Sequence, residues 1–322
     1  KNLDEALVLL EEAIIKDPKN EDNFLLKGDA LYARNSSDAS EALKAYNQVL
    51  LINPKSPRGI VRKALIYQRA KNEEEANKMY NEAKAIDPTY APSYRLNAEL
   101  FMMFGKNKKA IENWEKYLEL NNNLESRYRY ANALFGAKEY TTLLQQLDYL
   151  QGNGLSNFYT ERILAFSYLE CNPDSTSIKN GLDASARFFA IVPANMINYM
   201  DYKTKGALLM KAGKDSLGLI EYEKAIAVNE IAAKELTSEV AKMYFKAKKF
   251  DKSIELYTKR AQLVALTSAE EYELGKAIYN GPKDYVLADS AFARVLRLSP
   301  NYTPGYLWRA RCNYKLDSAN ER

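Results

Sequence analysis

The chain contains no histidine among its 322 residues. That absence excludes a histidine general base, a histidine-containing catalytic triad and a histidine metal ligand in this sequence. The sequence also has no glycine-rich phosphate-binding loop, no Cys-x-x-Cys pair and no Asp-x-Asp-x-Asp-Gly calcium loop. We therefore expect no enzyme, no catalytic residues, no metal site and no cofactor in this stretch of chain.

Long apolar runs and a strong charge excess are also missing. No run approaches the roughly 20 apolar residues that a membrane-spanning helix needs. Forty-six Lys and Arg against 42 Asp and Glu leave a net charge of +4, which is too small to indicate nucleic acid as a partner. Only 13 glycines and 10 prolines occur, which favours helices joined by short turns.

One stretch, residues 91–122, shows the pattern that most of the chain repeats. Its first half carries apolar side chains at helical spacing, Tyr94, Ala98 and Phe101, and Gly105 then breaks the helix. Its second half carries Ala110 and Trp114 at the same period. This is one helix–turn–helix hairpin of about 34 residues. Ala98, Ala110 and Trp114 are predicted to be packing residues with no role in a binding site.

The same pattern recurs at a fixed spacing. Ala42, Ala76 and Ala110 lie 34 residues apart, and an aromatic residue follows each of them four positions later. We predict one array over residues 1–322, with half repeats at 1–18 and 304–322. The full repeats are 21–56, 57–90, 91–123, 124–157, 158–195, 199–233, 234–267 and 268–302. Longer connections, among them a turn over residues 171–177, mark an irregular junction at 155–198, where the alternative is that two sub-arrays meet.

The recurring residues resemble the tetratricopeptide repeat (TPR) signature. Small residues fall at its first-helix position, small residues again at its second-helix position, and proline ends many second helices. The members of these three sets are Gly28, Ala64, Ala98, Gly206, Ala241, Gly275 and Ala310; Ala42, Ala76, Ala110, Ser253 and Ala288; and Pro18, Pro54, Pro88, Pro193 and Pro300. The resemblance implies an all-α fold, a right-handed α-solenoid of antiparallel helix hairpins forming a TPR superhelix.

Two further expectations come from the ends of the array. Residues 299–311 are loosely similar to long exported bacterial TPR proteins, so we expect a location in the bacterial periplasm or cell envelope rather than the cytoplasm. The half repeats lack the polar caps that solenoids usually carry, which leads us to expect repeats beyond both ends of the sequence. Cys171 and Cys312 are too far apart along such an array to form a disulfide, and we expect two isolated thiols.

The family resemblance implies that first helices line a concave groove. At its inward positions this chain has arginines mixed with aromatic residues, a composition typical of protein-binding hot spots, followed by lysines on successive first helices. The lysines predict an acidic peptide, a carboxylate or an anionic polymer as the ligand of the C-terminal part of the groove. The predicted binding residues are Tyr32, Arg58, Arg69, Arg95, Met102, Tyr128, Tyr159, Arg162, Lys203, Lys242, Phe245, Lys246, Lys276, Tyr279 and Arg311.

The leading interpretation is a noncatalytic scaffold that binds a peptide or protein segment in this groove. One TPR subgroup captures chaperone C-termini with Lys and Asn residues, but here Ala207 and Glu239 stand at two of those positions. RNA-binding helical repeats need a recurring base-reading pair, which is absent. Two alternatives stay open: an assembly element that self-associates through exposed repeat ends, and a regulatory TPR arm of a larger protein.

Overall fold

The described part of the chain is helical throughout. A computed structural model describes residues 2–171 and 174–320, and within them it contains eighteen α-helices, one short 3-10 helix and no β-strand. The α-helices are Leu3–Lys16 (α1), Glu21–Arg34 (α2), Ser40–Ile52 (α3), Pro57–Arg69 (α4), Glu73–Ile86 (α5), Ala91–Met103 (α6), Asn107–Leu120 (α7), Leu124–Ala137 (α8), Tyr140–Gly152 (α9), Phe158–Glu170 (α10), Ser175–Ile191 (α11), Tyr199–Lys211 (α12), Asp215–Val228 (α13), Glu230–Lys246 (α14), Phe250–Leu263 (α15), Ser268–Asn280 (α16), Tyr285–Leu298 (α17) and Thr303–Asn320 (α18). The predicted all-α class is confirmed.

Within residues 2–156, and again within residues 157–320, consecutive helices pack against each other as hairpins and neighbouring hairpins pack together. The chain divides into two compact units, with the boundary between Ser156 and Asn157. Unit 1 contains α1 to α9 and unit 2 contains α10 to α18. We call α2, α4, α6 and α8 the first helices of unit 1, and α10, α12, α14, α16 and α18 the first helices of unit 2.

The small residues and the aromatic residues of the repeat meet inside hairpins of both units. In unit 2, a Cβ atom added to Gly275 would lie 2.8 Å from Cε1 of Phe292, whose side chain is fully buried. In unit 1, Ala76 and Tyr80 are both fully buried in one cluster with Ala64. Small residues let the paired helices approach closely, and the aromatic rings fill the space beside them. The 34-residue spacing in the sequence is therefore a packing rule.

Five of the hairpin turns share one geometry. After α4, for example, Lys71 has a positive φ of 57°, its N–H donates to the Gln68 carbonyl, and the Asn72 N–H donates to the Tyr67 carbonyl. This pair of bonds is the Schellman motif, which satisfies carbonyl groups at a helix C-terminus. The residues that take the left-handed conformation in these turns are Lys71, Gly105, Lys138, Gly213 and Lys248.

The hairpin α10–α11 departs from the prediction. The sequence suggested a long turn over residues 171–177, of which 172 and 173 lie outside the described residues. Helix α11 already begins at Ser175, because the Asp174 side chain accepts a hydrogen bond from the Ser177 N–H at 2.7 Å and caps the helix. The additional residues therefore lengthen a helix to 17 residues, and the 3-10 turn Ala194–Met196 follows it.

Two smaller expectations concern membranes and thiols. None of the helices in the described residues is both long and apolar enough to cross a bilayer. Neither Cys171 nor Cys312 forms a disulfide within the described residues. Cys312 is fully buried in α18, and this burial raises the pKa of its thiol to about 11.

Candidate protein-binding face

The predicted arginines of unit 1 lie on its first helices, and each is held by a neighbour. The Arg58 guanidinium lies 2.5 Å from the Asp22 carboxylate, and Arg95 lies 2.7 Å from Glu99. These pairs are partly exposed, so each adds little to stability, but they orient the guanidinium groups. The positive charges of Arg58 and Arg95 are thus compensated locally.

The aromatic residues of the same face are partly accessible. The guanidinium of exposed Arg69 lies 4.9 Å from the centre of the Tyr32 ring. Tyr128 and Met102 are half-buried. Stacked arginine and tyrosine side chains combine apolar area with hydrogen-bonding capacity, which suits contacts with another protein.

Asp29 is the centre of a hydrogen-bond network in unit 1, and none of the predicted binding residues belongs to this network. The Arg62 Nε donates to both Asp29 carboxylate oxygens, at 2.8 and 2.9 Å, and the Tyr46 hydroxyl donates to Oδ1 at 2.8 Å. Burial, together with this bond to the carboxylate, raises the pKa of Tyr46 well above its ordinary value. The network joins α2, α3 and α4 and keeps the hairpins in register. Nothing in the sequence pattern marked Arg62.

A pocket opens between the first helices α6 and α8. It has a volume of about 360 Å³, and its lining residues are Glu99, Met102, Trp114, Arg129, Asn132 and Ala133. Met102 was predicted as a binding residue, whereas Trp114 was predicted to be a packing residue only. Trp114 is indeed buried, with 3% of its surface exposed, but its ring also forms part of the pocket wall.

Helix α10 of unit 2 contributes Tyr159 and Arg162, two of the predicted residues. Tyr159 is 43% exposed, and its ring centre lies 4.0 Å from that of Phe158. Arg162 donates to both carboxylate oxygens of Asp201 at 2.7 and 2.9 Å, and to the Met196 carbonyl at 2.6 Å. Its guanidinium therefore ties α10 to the start of α12.

Two of the predicted lysines have carboxylate partners. Lys203 lies 3.9 Å from Glu239, and Lys276 lies 2.9 Å from Glu273. Glu239 is one of the two residues, with Ala207, that distinguish this sequence from the chaperone-binding TPR subgroup. Its carboxylate partly neutralises Lys203, the cation that a chaperone carboxylate would otherwise meet.

Lys242 and Lys246, by contrast, are exposed on α14, and within the described residues neither has an ion-pair partner. They lie on the same helix as Phe245, a half-buried ring 5.2 Å from the Lys276 ammonium. Unpaired positive charge and accessible aromatic surface thus lie together on α14.

The remaining predicted residues belong to an aromatic cluster between α16 and α18. Tyr279 lies 5.0 Å from Trp308, centre to centre, and the exposed Arg311 guanidinium lies 4.7 Å from the Trp308 ring. The Trp308 Nε1 donates to the Tyr272 hydroxyl at 2.9 Å. Sequence reasoning placed Tyr279 and Arg311 on this face but missed Trp308, which fixes both of them.

As for metals, the described residues contain no group of three or more Cys, Asp or Glu side chains that could hold an ion.

Comparison with known proteins supports the fold at low sequence identity. No protein-family model matches the chain. An N-terminal acetyltransferase A complex subunit-like protein of Schizosaccharomyces pombe is 25% identical over 200 residues, which make up 62% of this chain and 28% of that protein. The structure of Naa15/Naa10 bound to HypK-THB matches with a TM-score of 0.53 and 17% identity, over 88% of this chain and 43% of that one.

A third match is YrrB, described as a TPR protein with an unusual peptide-binding site. It has a TM-score of 0.50 and 15% identity, over 58% of this chain and 93% of that chain. At such identities the solved structures show the fold alone. The chain spans less than half the length of the yeast protein and of the matched chain in the Naa15/Naa10 structure. The hairpins, their small-residue and aromatic packing and these matches together show that the chain has the helical-repeat fold of tetratricopeptide-repeat proteins.

Proposed function

We propose that this chain is a noncatalytic scaffold whose first-helix faces bind an extended or helical segment of another protein. One observation carries the proposal. On α14, Lys242 and Lys246 are exposed and lack ion-pair partners within the described residues, and Phe245 lies between them in sequence. Elsewhere on these first helices the predicted cations Lys203 and Lys276 have carboxylates nearby. Unpaired charge beside apolar surface favours an acidic segment that also carries apolar side chains.

The fold supports the same conclusion. TPR arrays are interaction scaffolds, and two of the matched proteins have names that refer to a peptide-binding site or to a complex subunit. The accessible arginine and aromatic side chains of unit 1 have the composition of binding hot spots. An acidic ligand and a noncatalytic role are parts of this proposal.

The test begins with photocrosslinking. A photoreactive amino acid at position 245 in the full chain should capture a protein segment in cells of the source organism, whereas one at Lys179, on a second helix, should not. The captured segment is then made synthetically, and its affinity for the scaffold is measured by fluorescence anisotropy.

Charge reversal then tests the role of the lysines. The double variant Lys242→Glu, Lys246→Glu should weaken binding about tenfold or more at low salt, and the loss should shrink as salt is raised. The matched control Lys179→Glu, Lys214→Glu reverses two other exposed lysines without ion-pair partners in the described residues. Equal affinity of the two double variants would contradict the proposal.

A second candidate function is assembly through copies of the same chain. Helices α1 and α18 expose large apolar side chains, among them Ile15 at 80% and Tyr314 at 70%. Exposed apolar surface of this kind is typical of contact sites. Light scattering over a range of concentrations should then show a mass that rises with concentration and falls back in Ile15→Glu. A constant monomer mass would exclude it.

A further inference from the structure

The hairpin turns α12–α13, α14–α15 and α16–α17 lie at the same end of unit 2. Consecutive helices are joined by short connections and pack side by side, so the turns within hairpins and the connections between hairpins alternate between the two ends. Two of these turns touch, because a Cβ atom added to Gly281 would lie 2.5 Å from Cβ of Phe250. The turn edge comprises the residues that follow each first helix from its last residue, 211–217, 246–252 and 280–286. The opposite edge comprises the matching residues after each second helix, 228–234, 263–269 and 298–304.

Charge separates the two edges. The opposite edge carries one lysine, Lys234, and one carboxylate, Glu230. The turn edge carries three aspartates, no arginine and seven lysines, and the lysines are Lys211, Lys214, Lys246, Lys248, Lys249, Lys252 and Lys283. Lys252 has two carboxylates nearby, Glu255 at 3.1 Å and Glu223 at 3.7 Å, whereas the other six lysines have no ion-pair partner within the described residues. Unpaired positive charge is therefore concentrated at one end of the unit.

Two of these lysines occupy backbone positions that favour glycine. Lys248 has a φ of 58° and Lys283 a φ of 60°, in the left-handed region where a Cβ atom costs conformational energy. Gly213, with a φ of 72°, fills the position equivalent to Lys248 in the turn α12–α13. Both lysine side chains are exposed, so burial does not compensate this cost. A backbone outlier of this kind indicates a role for the side chain that it carries.

Exposed apolar side chains accompany the lysines on the turn edge. Leu217 is 53% exposed and follows Lys214 by three residues, and Val286 is 62% exposed and follows Lys283 by three residues. The opposite edge also exposes apolar side chains, among them Ile231, but it lacks the accompanying positive charge. Only the turn edge thus combines unpaired lysines with exposed aliphatic groups.

The chemistry of the turn edge favours a lipid surface over a nucleic acid. Its two aromatic residues pack against other rings, Phe250 at 5.4 Å from Phe245 and Tyr285 at 5.1 Å from Tyr279, centre to centre. These rings are therefore not free to stack on bases, and no arginine is present for bidentate phosphate recognition. Lysines that meet lipid headgroups, beside aliphatic side chains that enter the headgroup region, are typical of binding to the surface of an anionic bilayer.

We propose that the turn edge of unit 2 docks the chain on an anionic lipid bilayer. The unpaired lysines contact the lipid phosphates, while Leu217 and Val286 enter the headgroup region. Lys246, the last residue of α14, belongs both to this edge and to the proposed segment-binding face, whereas Lys242 lies one turn of helix further from the edge. The inference goes beyond the proposed function, because it assigns a second partner to a different surface of the same unit.

Co-sedimentation of the full chain with vesicles tests the proposal. The probes are vesicles of phosphatidylcholine alone and vesicles of phosphatidylcholine with about 30% phosphatidylglycerol, which carry negative surface charge. The chain should sediment with the anionic vesicles at about 0.1 M salt but not with the neutral ones, and its partition should fall about tenfold at about 0.5 M salt. Failure to sediment with the anionic vesicles, or equal sedimentation with both kinds, overturns the proposal.

A glycine variant separates lipid binding from stability. Lys248→Gly, Lys283→Gly removes two cations and gives both turns the residue that Gly213 already provides. The variant should unfold at the temperature of the wild-type chain or above it, yet bind anionic vesicles about thirtyfold more weakly. The matched control Lys234→Gln, Arg297→Gln changes the net charge equally at the other end of the unit, since Arg297 lies in the last turn of α17, and should weaken binding less than about threefold. Equal losses in the two double variants would refute a role for this edge.

A third double variant distinguishes a bilayer from polyanions in general. Leu217→Ser, Val286→Ser keeps every charge but should weaken vesicle binding about tenfold, because two aliphatic groups no longer enter the headgroup region. Heparin is the comparison ligand. A chain that binds heparin as tightly as anionic vesicles, and whose vesicle binding ignores this variant, contradicts the bilayer proposal. Segment binding measured without vesicles should be unchanged in all three variants, so this inference and the proposed function fail separately.

Discussion

The two units bury different kinds of polar groups. The buried polar side chains of unit 1 are neutral, including Gln68 and Asn97. Unit 2 buries five carboxylates, and each has an Arg or Lys partner: Glu161, Asp201, Glu221, Glu270 and Glu271. Repeats with the same helix-hairpin backbone thus bury neutral polar side chains in unit 1 and ion-paired carboxylates in unit 2. Unit 1 depends on apolar packing and neutral hydrogen bonds, whereas unit 2 depends on ion pairs whose loss would strand a buried charge.

One residue of unit 1 reverses this contrast. The Lys84 ammonium lies 2.5 Å from the side-chain oxygens of both Asn97 and Asn113, and 5.0 Å from the centre of the Tyr94 ring. Its hydrogen-bond partners are amides, not carboxylates. Burial consequently lowers the pKa of Lys84 to about 8. Unit 1 therefore holds a cation without a counter-charge, where unit 2 pairs its buried charges.

The largest expected effect comes from removing the guanidinium of Arg162, which pairs with Asp201. Only 3% of the Asp201 side chain is exposed, so Arg162→Met should destabilise unit 2 by about 3–5 kcal/mol. Urea unfolding followed by Trp308 fluorescence, in a Trp114→Phe background, measures this loss. The control is Arg95→Met in unit 1, followed by Trp114 fluorescence in a Trp308→Phe background, which removes a partly exposed i,i+4 pair worth about 0.3–0.5 kcal/mol. Similar losses in both variants would abolish the contrast between the units.

Lys84 gives unit 1 a pH dependence at alkaline values. Between pH 8 and pH 10.5 the folded lysine has lost its proton while the unfolded chain keeps it, so stability rises with pH across this window. Below pH 8 both states are protonated and folding carries the full cost of the buried charge. Relative to Lys84→Met, the wild-type chain should gain on the order of 1–3 kcal/mol from pH 7 to pH 10.5.

The measurement is urea unfolding of unit 1, followed by Trp114 fluorescence in the Trp308→Phe background at a series of pH values. The comparison with Lys84→Met removes the contributions of other lysines and tyrosines. A difference between the two proteins that stays constant with pH would show that Lys84 does not titrate in this window.

The smallest effect concerns unit 2 at acid pH. Burial alone would raise the pKa of Glu270, but hydrogen bonds from the Thr267 N–H and hydroxyl, both 2.9 Å, outweigh it, and the pKa lies below 4.5. A lowered pKa contributes stability above pH 4.5 that is lost as pH falls through the folded value. In Glu270→Gln, the free energy of unfolding that is lost at acid pH should be smaller than in the wild-type chain by about 1 kcal/mol or less, as followed by Trp308 fluorescence. An unchanged acid profile would contradict this.

The sequence predicted the hairpins because their packing is repetitive. The bounds of α1 follow directly from its apolar spacing and the Asp17-Pro18 end, and the pairing of Ala76 with Tyr80 follows from the 34-residue period. The start of α11 was wrong by several residues, because a single Asp174 cap decided it. A cap formed by one side chain does not alter the periodic spacing of apolar residues, so the sequence pattern does not reveal it.

The candidate site was harder to predict, since a position on the first-helix face does not specify a partner. Arg162 meets Asp201 across 39 residues of sequence, and no spacing rule connects them. The roles of the predicted face residues in binding stay predictions. An alignment of the repeats does show one difference at the pocket beside Trp114, because Gln68 in one repeat is replaced by Met102 in the next.

The shared Schellman turns have a consequence for how such a chain changes over evolutionary time. In each of the five, the bonds that close the turn come from the backbone within a few residues, as with Lys71 to Gln68 and Gly213 to Met210. The joint between the two helices therefore needs no particular side chain from a neighbouring hairpin. A duplication or deletion of one whole hairpin carries its own joint with it, so the number of repeats is free to vary while each turn keeps its form.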